Sequence, residues 1–96
     1  MHKALLLLKN IPKEKVVTYK ELARAAGTSA RGVGSIMRHN KDTVEYPCYK
    51  VVASDGALTG YSGPGGVDAK RKFLESDGVS FNEKGFVDEV SFYYFR

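Results

Sequence analysis

The sequence predicts a single α+β domain of winged-helix-like form, built on a helix-turn-helix with small β elements. Three observations predict it. Two short helical patterns meet at Gly27, apolar pairs such as Val16-Val17 and Val51-Val52 stand between turn signals, and residues 79–92 read as a hairpin. Ninety-six residues with 43% hydrophobic content, five Phe and six Tyr suffice for one modest core, and without repeats or a composition break one domain is expected over residues 1–96.

The elements follow in order. Leu5 to Leu8 make a first helix with one buried side, ending before Pro12 because the residue preceding proline disfavours the helical region. Lys13-Glu14-Lys15 is a turn and Val16-Val17 an extended piece. Thr18 and Glu21 have capping-box spacing, in which hydroxyl and carboxylate each satisfy an orphan amide at a helix start. That second helix buries Leu22, Ala25 and Ala26 and stops at Gly27, which can take the left-handed conformation. Thr28-Ser29 caps a third helix over residues 30–38, with Val33, Ile36 and Met37 as its inward stripe. Gly32 and Gly34 inside it cost roughly 1 kcal/mol each relative to alanine, which calls for a reason such as close approach of a partner's backbone. Residues 39–46 are irregular, and Tyr46 to Val52 form a turn and short strand around the single thiol. Ser54-Asp55-Gly56 is a turn and residues 59–66 are a glycine-rich loop suited to fold over a ligand. Val67 to Asp77 is the last helix, with Phe73 and Leu74 inward, Lys70-Arg71-Lys72 on an exposed face, and Gly78 as its stop. Asn82-Glu83-Lys84-Gly85 then turns a hairpin between residues 79–81 and 86–92.

Composition narrows the function classes. Leu5 to Leu8 fall far short of the roughly 20 apolar residues of a membrane span, and no small-residue cleavage site follows them. One cysteine forms no internal disulfide, which points to a reducing compartment: the cytoplasm, or the nucleus in a eukaryote. His2 and His39 lack metal-ligand spacing with Cys48, so neither a metal nor a cofactor is expected. A net charge of +4 and a pI near 9.2 suit a polyanionic partner, although many basic proteins bind no nucleic acid.

Four motifs then occur in sequence: Val16 to Ala23; Ala30-Arg31-Gly32-Val33-Gly34 through Met37-Arg38-His39-Asn40; Pro47-Cys48-Tyr49-Lys50-Val51-Val52; and Gly60-Tyr61-Ser62-Gly63. With them the chain resembles the C-terminal DNA-binding domain of the alkylguanine-DNA alkyltransferases, and Lys70, Leu74 and Gly78 continue the likeness. The resemblance implies an irreversible reaction in which Cys48 takes the alkyl group from guanine O6 and stays alkylated. The partner it implies is duplex DNA containing alkylated guanine, with the nucleotide flipped out to open a line of attack. It also implies minor-groove docking of the third helix, and a monomer is expected. Arg31 matches the arginine that fills the flipped nucleotide's gap, and Tyr19 matches the residue that crowds the target phosphate. Ala30, Gly34, Ser35 and Arg38 complete the DNA-binding set, while Met37, Pro47, Val51, Tyr61 and Ser62 form the substrate pocket. Cys48, Asn40, Tyr49 and Asp77 are the catalytic candidates.

Two departures bear on the chemistry. The family's usual Pro-Cys-His-Arg-Val is Pro47-Cys48-Tyr49-Lys50-Val51 here, and the family's last-helix glutamate matches Asp77. A free cysteine is only about 3% thiolate at pH 7, and lowering its pKa to about 6 requires roughly 3.4 kcal/mol of preferential stabilisation. Tyr49 either relays a proton along a Cys48-water-Tyr49-Asp77 chain, with Asn40 orienting the water, or donates a hydrogen bond to the thiolate, or only packs. Other residues have plainer alternatives. Cys48 alone reads as a small buried hydrophobe, Arg31 as a solvated charge, Asn40 as a loop cap, and Tyr61-Ser62 as a turn. Length supplies a functional alternative: short members of this group include alkyltransferase-like sensors, which bind alkylated DNA without repairing it and recruit other repair proteins. An ordinary winged-helix transcription factor with an incidental cysteine is the third reading.

Overall fold

The computed structural model describes residues 2–42, 45–59 and 65–95. The described elements are α1 (Lys3–Leu8), β1 (Val17–Thr18), α2 (Tyr19–Ala26), α3 (Ala30–Arg38), a 3-10 turn at Cys48–Lys50, β2 (Val51–Val52), α4 (Gly66–Ser76) and a second 3-10 turn at Glu89–Ser91. β1 and β2 pair in parallel with Val17 opposite Val51 and Thr18 opposite Val52. Phe92 bridges Val16 in parallel and so adds a third extended segment. Val16, Val17, Val51 and Val52 are fully buried, as expected of parallel segments covered on both faces.

α1 packs Ala4 and Leu8, one helical turn apart, into a core shared with Leu22, Val33, Met37, Cys48 and Val51. A second cluster joins Val16, Val52, Leu74, Val79 and Val87 on the other side of the sheet. α2 and α3 meet at Gly27, whose φ of +73° is the left-handed cap the sequence demands. Thr18 caps α2 by accepting from the Glu21 amide, and Ser29 caps α3 by accepting from the Gly32 amide. Only half of the capping box forms as expected. The Glu21 carboxylate accepts from Arg24 and from the Phe95 amide 74 residues away, because the C-terminal segment crosses the start of α2 and brings a buried donor.

Five further expectations are corrected. Buried positions in α2 are Glu21, Leu22 and Ala23, while Ala25 and Ala26 are half-buried, since the C-terminal segment covers the Glu21 side. Gly32 is accounted for within the protein, because a Cβ there would stand 2.5 Å from the Thr28 hydroxyl; only Gly34 faces open space. Phe73 is 43% exposed, and Lys70, expected on the exposed face, is 1% exposed. Lys70 lies one turn before Leu74 and therefore shares its inward face. The C-terminal hairpin is a single bridge between Phe81 and Val87. Beyond it Asp88 caps the 3-10 turn and Ser91 and Tyr93 bond to Val16, so pairing with the sheet replaces local pairing. Gly56 permits that route: Val87 donates to its carbonyl, and a Cβ there would meet the Val87 carbonyl at 2.3 Å.

Candidate active site and nucleic-acid face

Cys48 opens the 3-10 turn that links the irregular segment after α3 to β2, and it is 6% exposed. Its amide donates to the Tyr46 carbonyl at 2.8 Å, and Asn40 Nδ2 donates to that same oxygen at 2.8 Å. Asn40 Oδ1 accepts from the Asp42 amide, so this side chain ties the preceding loop to the cysteine turn. Met37 and Val51 are buried in the same cluster as Cys48, and Pro47 is half-buried. Tyr61 and Ser62 lie outside the described residues.

Tyr49 donates its hydroxyl proton to Asp77 Oδ2 at 2.7 Å, and its ring leans on Phe73 at 5.2 Å between centroids. Asp77 is the C-cap of α4, which brings the last helix to the cysteine turn. Lys50 is buried, donates to the carbonyls of Pro12, Lys13 and Lys15, and lies 3.8 Å from Asp77 Oδ2. Its pKa is lowered by burial, against which the Asp77 charge acts.

Lys70 is the residue that sequence reasoning missed. Its ammonium donates to the Val51 carbonyl at 2.6 Å and the Thr59 carbonyl at 2.8 Å. Burial pulls its pKa down to about 8, and the charge that acts in the other direction is that of Cys48. None of the ion pairs among the described residues involves Lys70. The signal that marks it is its place four residues before Leu74. Of its basic neighbours, Arg71 bonds to the Gly85 carbonyl and stacks on Phe81, while Lys72 is exposed.

The other half of the site lies across α2 and α3. Tyr19, Ala30, Arg31, Gly34 and Arg38 line one cleft of about 480 Å³. Lys20, Ala53 and Ser54 line it too and were not anticipated; Ala53-Ser54 directly follow β2, whose register with β1 carries them to the start of α2. Ser35 is exposed on α3 but does not line this cleft. Tyr19 donates to the Thr59 carbonyl at 3.4 Å, and burial raises its pKa despite that bond. Thr59 therefore accepts from both Tyr19 and Lys70, joining the cleft to the thiol site. No helix among the described residues is long and apolar enough to cross a membrane.

Comparisons with known proteins agree on one family. A family profile described as the DNA binding domain of 6-O-methylguanine DNA methyltransferase matches residues 1–79. The methylated-DNA–protein-cysteine methyltransferase of Pyrobaculum aerophilum is 47% identical over 77 residues, covering 80% of this chain and 51% of that protein. A bifunctional methyltransferase/endonuclease of Picrophilus torridus is 46% identical over 78 residues, covering 79% of this chain and 26% of that protein. The chain thus spans between about a quarter and a half of these relatives. Among solved structures, S. pombe Atl1 in complex with damaged DNA containing O6-carboxymethylguanine superposes with a TM-score of 0.79 at 27% identity, covering 97% of this chain and 93% of that one. O6-methylguanine-DNA methyltransferase from Pyrococcus kodakaraensis superposes with a TM-score of 0.73 at 40% identity, covering 80% of this chain and 44% of that one.

Proposed function

Because the chain belongs to the family of the 6-O-methylguanine DNA methyltransferase DNA binding domain, we propose that it repairs alkylated guanine in duplex DNA by transfer of the alkyl group to Cys48. The observation that carries this reading is the buried ammonium of Lys70, held by the carbonyl of Val51, three residues after Cys48, and by that of Thr59, and part of no ion pair among the described residues. A sulfur that attacks carbon must carry negative charge, and a fixed cation in a poorly solvated site favours that charge far more than it would in water. In the reaction a sulfur–carbon bond forms and the bond from carbon to guanine O6 breaks. The proton that leaves the thiol balances the one the released guanine takes up, so the products are a thioether and unmodified guanine, and each molecule acts once.

The nucleic-acid side of the proposal rests on the basic cleft. Arg31 fills the space of the flipped nucleotide, Tyr19 crowds the neighbouring phosphate, and Ala30, Gly34, Ser35 and Arg38 bring α3 against the backbone. Met37, Pro47, Val51, Tyr61 and Ser62 bound the base. Asn40 fixes the cysteine turn and orients water beside it. Tyr49 has a single proton, and that proton goes to Asp77, so towards the thiol its oxygen acts as an acceptor. This favours the relay over donation to a thiolate.

A second reading, a lesion sensor that holds the flipped base without reacting and recruits other repair proteins, is favoured by the superposition on Atl1 along nearly the whole of both chains. One experiment separates the two. The protein is incubated with duplex DNA carrying O6-methylguanine, and the peptide containing Cys48 is weighed. A gain of one methyl group supports transfer; lesion-selective binding with no gain supports the sensor. Cys48→Ala abolishes the gain and spares binding, and transfer surviving that substitution would overturn the reading.

A further inference from the structure

Lys50 is buried beside Asp77, has been given no role in the reaction, and is bonded in an unusual way. Its three N–H groups go to three carbonyls of the turn before β1, Pro12 at 3.0 Å, Lys13 at 2.8 Å and Lys15 at 3.1 Å. The ammonium is therefore placed by backbone, independently of Asp77. That carboxylate stands at the C-terminal end of α4, where the helix dipole opposes a negative charge. Lys50 lies 3.8 Å from Asp77 Oδ2, the same oxygen that takes the Tyr49 proton at 2.7 Å. With its N–H groups committed elsewhere, Lys50 acts on Asp77 by charge.

We propose that Lys50 is a positioning residue for the thiol site: caged by the turn before β1, its ammonium fixes the Asp77 carboxylate, which in turn fixes the hydroxyl of Tyr49, the residue that follows Cys48. The inference rests on the transferase reading. It links the α1–β1 turn to the reacting sulfur through Asp77 and Tyr49, and it explains why a lysine is kept dry at a cost in desolvation.

The test uses the full chain with Lys50→Gln, Lys50→Arg, Asp77→Asn and the double variant Lys50→Gln/Asp77→Asn. Gln keeps two N–H donors for the carbonyls and removes the charge. Three quantities are read: cooperative melting, affinity for the O6-methylguanine duplex, and the rate of Cys48 methylation at saturating DNA. Lys50→Gln binds the duplex with native affinity and methylates about fourfold more slowly, as much as loss of the Tyr49 hydroxyl itself would cost, or about 0.8 kcal/mol in barrier terms. Lys50→Arg restores the rate, Asp77→Asn loses as much as Lys50→Gln, and the double variant loses no more than either. A folded Lys50→Gln or Asp77→Asn that methylates at the native rate overturns the inference, as does a double variant whose losses multiply. Asp77→Asn keeps this decisive if Lys50→Gln does not fold. The rate of Cys48 alkylation by iodoacetamide, which needs no DNA, is measured alongside. If the native protein takes no methyl group from DNA, the transferase reading fails, and the iodoacetamide rates of the same variants still decide the role of Lys50.

Discussion

Two lysines are buried next to the segment that carries Cys48, Lys50 two residues after it and Lys70 on the Val51 carbonyl, and their surroundings differ in one respect. Lys50 is 4% exposed and Lys70 is 1% exposed, and both give their protons to backbone carbonyls. Lys50 has the Asp77 carboxylate at 3.8 Å, whereas Lys70 takes part in no ion pair among the described residues. Carbonyls satisfy an ammonium's hydrogen bonds but leave its charge uncompensated. The Lys50 group therefore closes on itself through Asp77 and Tyr49, while Lys70 keeps an uncompensated charge, which the proposed reaction uses at the thiol. Burial pulls the Lys70 pKa down to about 8.

The largest way to break the comparison is Lys70→Met, which keeps the stem and deletes the charge. The Lys70 ammonium sits on the carbonyl of Val51, three residues after Cys48, and a buried unit charge near the sulfur is worth on the order of 1 kcal/mol or more, so Cys48 alkylation slows by about tenfold. A native rate in that variant would place the activation of sulfur elsewhere. Stability sharpens the same point through pH. Lys70 titrates near 8 in the fold against 10.5 when unfolded, so between those values the unfolded chain holds the extra proton and stability rises with pH. The rise from this group reaches up to about 3 kcal/mol. Urea unfolding at about pH 7.5 and about pH 10 measures it. In Lys70→Met the rise shrinks to what Lys50, also lowered by burial, contributes.

The smallest effect belongs to the Lys50 flank. Tyr49→Phe keeps the ring on Phe73 and removes the bond to Asp77. Methyl transfer slows by about threefold to fivefold, because a neutral phenol is a weak proton acceptor and removes little from the barrier. A rate unchanged in rapid-quench measurement would rule out the hydroxyl as a relay and leave Tyr49 as packing.

Much of the proposed nucleic-acid half, α2 and α3, was legible in the sequence because its signals are local. Thr18, Gly27 and Ser29 mark helix ends through bonds made within a few residues, and α3 runs over Ala30–Arg38 as read. Tyr19, Arg31 and Arg38 then share a cleft because helix periodicity fixes the direction of each side chain. The thiol half was legible in its motif and not in its electrostatics. Lys70 in a run of three basic residues looked solvated, and one buried contact face outweighed that local pattern. Phe73 was read as core and lies out at the surface, where it supports Tyr49.

The sequence by itself determined the helix boundaries, the single thiol in its motif, the turn chemistry and the basic character, since each depends on residue type or near-neighbour spacing. Tertiary structure alone decided that Glu21 answers Phe95, that residues 91–93 join the sheet at Val16, and that Lys50 meets Asp77. These contacts join residues 27 to 77 positions apart, and no local pattern encodes them. Where a buried charge finds its counter-charge is set by which segments the core brings together, and that is what distinguishes the two lysines beside Cys48.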